Sequence, residues 1–274
     1  MQELFYAAED GYKLRAVYFA AAAEESPLIV DIHGGGFIGG SADADAKLCE
    51  RLASETGFNV ASLEYRLAPA WKFPAAIRDC VAMIEGMRRD ASLKFDRTRV
   101  MLIGSSAGAN AAVGAAWLSR VVSAMVLNYP WLNLACNRRE YLPASITDEM
   151  MDGFVRMYCP ERCLCKTPLA TPLNMEAEDI RTLPPTLILT GGSDSLRVDG
   201  MAFYKMLQDG GIASRLIEYP KARHGFIEAV SAETIKVDEY TSEADVAAQT
   251  ESYEKAIGDI AAFFKQSASA HVRR

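Results

Sequence analysis

Histidine is scarce in this 274-residue chain: His33, His224 and His271 are the only three. Any chemistry that needs an imidazole must draw on one of them. Basic charge is also in short supply, with 29 Lys and Arg against 36 Asp and Glu and a net charge of −7. Such a surface repels phosphate backbones and anionic headgroups, so neither nucleic acid nor a membrane is an expected partner. No apolar run is long enough to span a bilayer, and the alanine patch Ala20–Ala23 is closed by Glu24 and Glu25. The opening Met1-Gln2-Glu3-Leu4 has neither the basic nor the apolar segment of a secretory signal, which makes a cytoplasmic location the expectation. There are six cysteines but no pair of C-x2-C knuckles. Cys159, Cys163 and Cys165 cluster downstream of Cys136 with no histidine nearby, so they read as reduced core or loop residues. No metal and no cofactor is expected.

What is present alternates in a regular way. Strand-like apolar runs fall at Lys13–Ala20, Pro27–His33, Asn59–Glu64, Arg99–Ile103, Ser123–Asn128, Thr186–Thr190 and Ser214–Tyr219. Helix-length segments fall at Asp43–Thr56, Pro74–Arg89, Ala107–Leu118, Val198–Gln208 and Ala247–Lys265. Strand–helix repetition with fully apolar strands predicts a mostly parallel sheet covered on both faces. The rhythm breaks between Pro130 and Pro185, where one segment, Asp148–Tyr158, carries Met150, Met151, Phe154, Val155 and Tyr158 at helical spacing. The expectation is one domain, 1–274, with a small cap insertion at about 130–185. The polar tail Ser267–Arg274 reads as disordered and the acidic stretch Ser231–Ala247 as a solvated linker.

Two glycine-bearing motifs carry the chemistry. Gly104-Ser105-Ser106-Ala107-Gly108 fits G-x-S-x-G between a strand and an alanine-rich helix. A sharp strand-to-helix turn there exposes the central serine, and the flanking glycines let strand and helix approach closely. His33-Gly34-Gly35-Gly36-Phe37 follows the strand Pro27–Ile32 directly. Three consecutive glycines allow backbone N–H groups to converge on one point, as a developing oxyanion requires. No Lys-Ser/Thr follows, so this is not a P-loop. A nucleophilic serine needs a base. His33 lies inside the glycine loop and His271 in the tail, which leaves His224, in Arg223-His224-Gly225-Phe226. The acid belongs between them in chain order. Asp194, after the strand Thr186–Thr190, is favoured over Asp199, whose place in a helix's first turn is accounted for by the dipole.

These residues resemble the hormone-sensitive-lipase-like α/β-hydrolases, which include many microbial acetyl and short-chain acyl esterases. The matching residues run in order from about Val30 to Phe226: His33–Phe37; Glu64-Tyr65-Arg66-Leu67-Ala68-Pro69 with Phe73-Pro74-Ala75-Ala76 and Asp79; Gly104–Gly108; Leu183-Pro184-Pro185; Asp194-Ser195-Leu196-Arg197; and His224-Gly225-Phe226. The resemblance implies an α/β-hydrolase fold with Ser106 as nucleophile, Asp194 as acid and His224 as base. It implies oxyanion donors at the N–H groups of Gly35, Gly36 and Ala107, and Tyr65–Pro69 as scaffold. Departures from the family pattern are Glu64 for its usual Asp, Ala70 for its usual Glu, and an N-terminus with only 32 residues before His33. The family's N-terminal cap helices are therefore expected to be cut down.

The activity this implies is serine carboxylesterase action on short acyl groups, acetyl above all, with acetylated carbohydrates as one substrate class. The alternatives are an amidase or arylformamidase on the same machinery, a prolyl-oligopeptidase-like peptidase, and a non-catalytic ligand receptor. The peptidase would need a large extra domain and the receptor would be expected to have lost a triad member. The expected partner is a small ester, with a second copy of the chain left open.

Overall fold

The computed structural model describes residues 1–23, 25–136, 146–235, 237 and 241–271, the last by its backbone only. Parts of the 130–185 insertion, of the acidic stretch 231–247 and of the 267–274 tail lie outside these residues. Among the described residues, eight strands form one sheet: β1 (Gln2–Ala7), β2 (Lys13–Phe19), β3 (Ser26–Ile32), β4 (Asn59–Glu64), β5 (Phe95–Ser105), β6 (Val122–Asn128), β7 (Thr186–Ser193) and β8 (Ser214–Arg223). Their order is β1-β2-β4-β3-β5-β6-β7-β8. The hairpin β1–β2 joins β4 antiparallel, and β4 through β8 run parallel. The sheet is thus the mostly parallel one that strand–helix alternation implies.

Strand alternation divides the core into two layers, because successive side chains of a strand leave on opposite faces. Leu28, Val30 and Ile32 of β3 join Val100 and Leu102 of β5 and Met125 and Leu127 of β6 on one face. Ile29, Met101, Ile103, Ala124 and Val126 join the other. The first layer is covered by α2 (Ala75–Arg89), α3 (Ala107–Ser119) and α6 (Arg197–Asp209), the second by α1 (Ala46–Thr56), the short α7 (Phe226–Ser231) and α8 (Glu243–His271). Between β6 and β7 lie α4 (Asp148–Tyr158) and the single turn α5 (Ala177–Ile180).

Three expectations are corrected. β1 is a strand that the sequence reading left out: it is an edge strand with Leu4 as its only fully buried residue, so alternation hardly shows. The segment Ser267–His271 is helical, because the apolar stripe Ile257, Ala261, Phe264 continues to a buried Ala268 and carries α8 onward. The stretch 231–247 is not simply a linker. It contains the end of α7 and the first turns of α8, where Asp245 pairs with Arg223 at 3.1 Å. The cysteines are all free. Cys49, Cys80, Cys159 and Cys165 are buried, Cys136 and Cys163 exposed.

The turn after β4 braces the glycine loop. Arg66 donates from Nε and Nη2 to the two oxygens of buried Asp79 (2.8 and 2.6 Å), and the Arg66 backbone N–H donates to the same carboxylate at 3.0 Å. The guanidinium also lies over the Trp71 and Tyr12 rings, 4.2 and 5.0 Å from their centroids. From this turn Tyr65 donates its hydroxyl to the His33 carbonyl at 2.8 Å, and the Ala68 N–H donates to the Phe37 carbonyl at 2.9 Å. Asp79→Ala leaves a buried guanidinium without its main partner and is expected to destabilise the fold by about 3–5 kcal/mol. Urea denaturation reads this directly; a loss below about 1 kcal/mol would mean that packing, not the pair, holds the turn.

Candidate active site

The passage from β5 into α3 is made at Ser106, which adopts φ 54° and ψ −114°. A non-glycine residue there is strained and persists only where its surroundings over-determine it. They do so here. The Ser106 N–H donates to Asn128 O at 2.9 Å, while its carbonyl accepts the N–H of Ala109 (3.1 Å) and Trp131 (3.2 Å). A Cβ at Gly108 would collide with the backbone carbonyls of Ile32 and His33, so glycine is required for α3 to come this close to β3. Ser105, one residue earlier, is fully buried, and its Oγ accepts from Asn128 Nδ2 at 3.2 Å.

The structure brings Ser106, His224 and Asp194 together. Ser106 Oγ lies 3.0 Å from His224 Nε2, and His224 Nδ1 lies 2.9 Å from Asp194 Oδ2. A carboxylate only accepts, so Nδ1 carries the proton and Nε2 is left to accept the serine hydroxyl. Asp194, fully buried after β7, is oriented by the Leu196 N–H, which donates to Oδ1 at 2.9 Å. Burial works against a charged His224. The Asp194 charge and hydrogen bond, with a further contribution from Glu228, outweigh it and raise the imidazole above its ordinary 6.5. Asp199 is not beside the histidine. Its Oδ2 accepts the N–H groups of Leu132 (2.9 Å) and Asn133 (3.0 Å), anchoring the chain that leads toward α4.

The glycine loop is set by its carbonyls. In a trans peptide C=O and N–H point in opposite directions. His33 Nδ1 holds the Gly34 carbonyl at 2.7 Å, and the Gly35 carbonyl accepts the N–H groups of Ile38 (3.1 Å) and Gly39 (3.0 Å). The N–H groups of Gly35 and Gly36 therefore face the other way, and neither donates to a protein acceptor among the described residues. Gly35, at φ 109°, has no room for a Cβ against the Gly39 carbonyl. Ala107 opens α3, so its N–H also lacks an intrahelical acceptor. His33 is stacked on Tyr65 with centroids 4.2 Å apart, and burial pushes it down to about 4, so it is a neutral structural ring.

Three residues at the site were not read as part of it from the sequence. Glu228 on α7 accepts the Gly34 N–H at 2.9 Å and the Tyr129 hydroxyl at 3.2 Å. Tyr129 sets its ring edge-on to His224, centroids 5.2 Å apart. Phe154 of α4 lies against Gly36, where an added Cβ would meet its ring carbons at 2.7–3.0 Å. The helical spacing of Phe154 was legible; its target was not. Among the described residues no group of three or more His, Cys, Asp or Glu is placed to hold a metal, and no helix is long and apolar enough to cross a membrane.

With only three histidines, an NMR titration is readily assigned. His224 is expected to titrate above 6.5, while His33 stays neutral down to about 4. Asp194→Asn removes the carboxylate charge and should move His224 downward. An unmoved His224 in that variant would dissociate the two residues electrostatically.

The sequence profile of the family described as alpha/beta hydrolase fold matches residues 29–228. The chain is 28% identical to an arylesterase of Saccharolobus solfataricus, over 77% of this chain and 72% of the relative. It is 26% identical to an ethyl acetate hydrolase of Pseudomonas putida, over 83% of this chain and 76% of the relative. Its structure superposes on an esterase of Pyrobaculum calidifontis with a TM-score of 0.85 and 28% identity, covering 97% of this chain and 85% of that one. Fold, motif order and sequence agree: the chain belongs to the alpha/beta-hydrolase fold family, in its hormone-sensitive-lipase-like, carboxylic-ester-hydrolysing branch.

Proposed function

We propose that the chain is a serine carboxylesterase that cleaves esters of small acyl groups through an acyl-enzyme on Ser106. The observation that carries this reading is the continuous hydrogen-bonded chain from Ser106 Oγ through His224 to Asp194, at 3.0 and 2.9 Å. Ser106 Oγ attacks the ester carbonyl carbon as His224 Nε2 takes its proton, and Asp194 stabilises the imidazolium. The oxyanion that forms is met by the N–H groups of Gly35, Gly36 and Ala107. His224 then gives the proton to the departing alkoxide, and the alcohol leaves. A water, deprotonated by the same Nε2, attacks the acyl-enzyme, and the carboxylic acid departs as Ser106 recovers its proton.

Two considerations favour a short acyl group. The Phe154 ring abuts Gly36, one of the proposed oxyanion donors, and is backed by Trp131 at 6.2 Å between centroids. We take the α4 segment as a reduced cap whose aromatic wall stands beside the acyl slot. One relative is named for ethyl acetate, an acetyl ester. Each methylene gains about 0.8 kcal/mol only where a wall can bury it, so a slot closed after a few carbons stops rewarding length.

Ser106→Ala should keep the fold and lose on the order of 10⁴–10⁶ in kcat, leaving the catalysis of binding and oxyanion stabilisation alone. Mass spectrometry after an organophosphonate should find the adduct on Ser106; an adduct on Ser105 would refute the assignment. In the parent enzyme, kcat/KM over a series of p-nitrophenyl esters should peak between acetyl and butyryl. Phe154→Ala should raise the octanoyl-to-acetyl ratio by about tenfold, equivalent to two newly buried methylenes. If both esters fall equally, the ring is not the wall. An acetylated sugar and an N-formyl arylamine in the same panel test the carbohydrate and amide activities.

A further inference from the structure

Beside the glycine loop sits an acid that the reaction above does not use. Glu228 is one helical turn beyond His224 in the chain, yet its carboxylate reaches back across the site. Oε1 accepts the Gly34 N–H at 2.9 Å and Oε2 accepts the Tyr129 hydroxyl at 3.2 Å. The peptide joining His33 to Gly34 is thereby held at both ends, its carbonyl by the Tyr65 hydroxyl at 2.8 Å and its N–H by Glu228. The next peptide is held by His33 Nδ1 on the Gly34 carbonyl, and that peptide carries the Gly35 N–H. The two planes meet at Gly34, whose φ and ψ are soft, so the direction of the Gly35 N–H is well defined only while both peptides are held, and release of the Gly34 N–H from Glu228 loosens that support. Both carboxylate oxygens act as acceptors, the arrangement of an ionised group.

We propose that Glu228 is a positioning residue for ester hydrolysis: as an anion it clamps Gly34, so that the Gly35 and Gly36 N–H groups stay aimed at the oxyanion, and it stands as a second negative charge near His224. The proposal rests on the serine-esterase reading above. The ionisable groups around Glu228 are Asp31 from β3, Asp45 ahead of α1, Tyr65 after β4, Tyr129 after β6 and His224 after β8. His224 is the only one of these that can become a cation. Burial pushes Asp45 up to about 10, so it carries little charge at neutral pH, and pushes Asp31 up to about 7, so Asp31 ionises in that range as a neighbour of Glu228. Burial raises Glu228 too, opposed by the Gly34 N–H, by His224 and by the Tyr129 hydroxyl.

Two substitutions separate the clamp from the charge. Glu228→Gln keeps an acceptor for the Gly34 N–H but removes the charge. Its kcat should fall only a few-fold, with KM unchanged and the acid limb of kcat/KM moved to lower pH, because His224 loses a neighbouring anion. Glu228→Ala frees the Gly34 N–H and should cost about 10²-fold in kcat at unchanged KM, the signature of weakened oxyanion stabilisation. Should Glu228→Ala fail to fold, the Gln variant's pH profile and its His224 NMR titration still decide. An unmoved acid limb in Glu228→Gln, or full activity in a folded Glu228→Ala, would overturn the proposal. Phosphonate labelling of the parent enzyme keeps the two readings apart: without an adduct on Ser106 the esterase reading fails, whereas labelling with indifferent Glu228 variants removes the clamp alone.

Discussion

The close passage of α3 over the end of β3 is the constraint on which the rest of the site depends. It puts two backbones in contact at Gly108 and leaves the chain no route from β5 into α3 except through a strained Ser106 at φ 54°. Such a conformation costs about 1–3 kcal/mol. It is held by backbone hydrogen bonds to Asn128, to Ala109 and Asn110, and to Trp131, which come from β6, from α3 itself and from the chain leading to α4. The same turn buries Ser105 and leaves Ser106 Oγ pointing at His224. Strain at one residue is thus compensated by the elements that the sheet order brings next to it.

Around that turn the site is made largely of main-chain groups, and their direction is decided by what their carbonyls bind. The Gly35 and Gly36 N–H groups are available because the Gly34 and Gly35 carbonyls are occupied, by His33 and by the turn at Ile38 and Gly39. His33 serves in this way with the proton on Nδ1, because a carbonyl only accepts, and burial keeps the ring otherwise neutral. The two histidines of the site are therefore set apart by their surroundings. One is buried against Tyr65 and held down, the other faces Asp194 and is held up. The brace at Arg66 and Asp79 belongs to the same system, since it fixes the turn from which Tyr65 reaches the His33 carbonyl.

Buried acid is the unusual part of this molecule. Asp31 points to the α1 face because β3 alternates, and there it meets the Ser62 hydroxyl at 2.6 Å. Asp45 and Glu228 approach from other elements, and burial raises all three acids. A purely structural core would gain more from apolar side chains at these positions. Of the three, Glu228 is the one whose oxygens touch the loop and the tyrosine that packs on His224.

Much of this was legible in the sequence, and the reasons differ by residue. Ser106 and the glycine loop are local: a strand, a turn and a helix within a dozen residues impose them, and glycine at fixed offsets reports a backbone approach that no other residue tolerates. His224 followed from the scarcity of histidine and Asp194 from chain order, and the structure places both on the path from Ser106 Oγ. The α/β alternation gave the sheet, because buried parallel strands must be apolar throughout. The edge strand β1 escaped because Leu4 and Tyr6 turn inward while the apolar Phe5 between them stays exposed, which hides the alternation, and α8 ran past its expected end on the strength of a single alanine. What only the tertiary structure decided were contacts between side chains far apart in the chain. Glu228 bonds a glycine 194 residues away, Phe154 closes on Gly36, and Asp199 caps a segment 66 and 67 residues before it. Local propensity and spacing hold no information on such pairs, because their partners meet only once the sheet has set its strands in order.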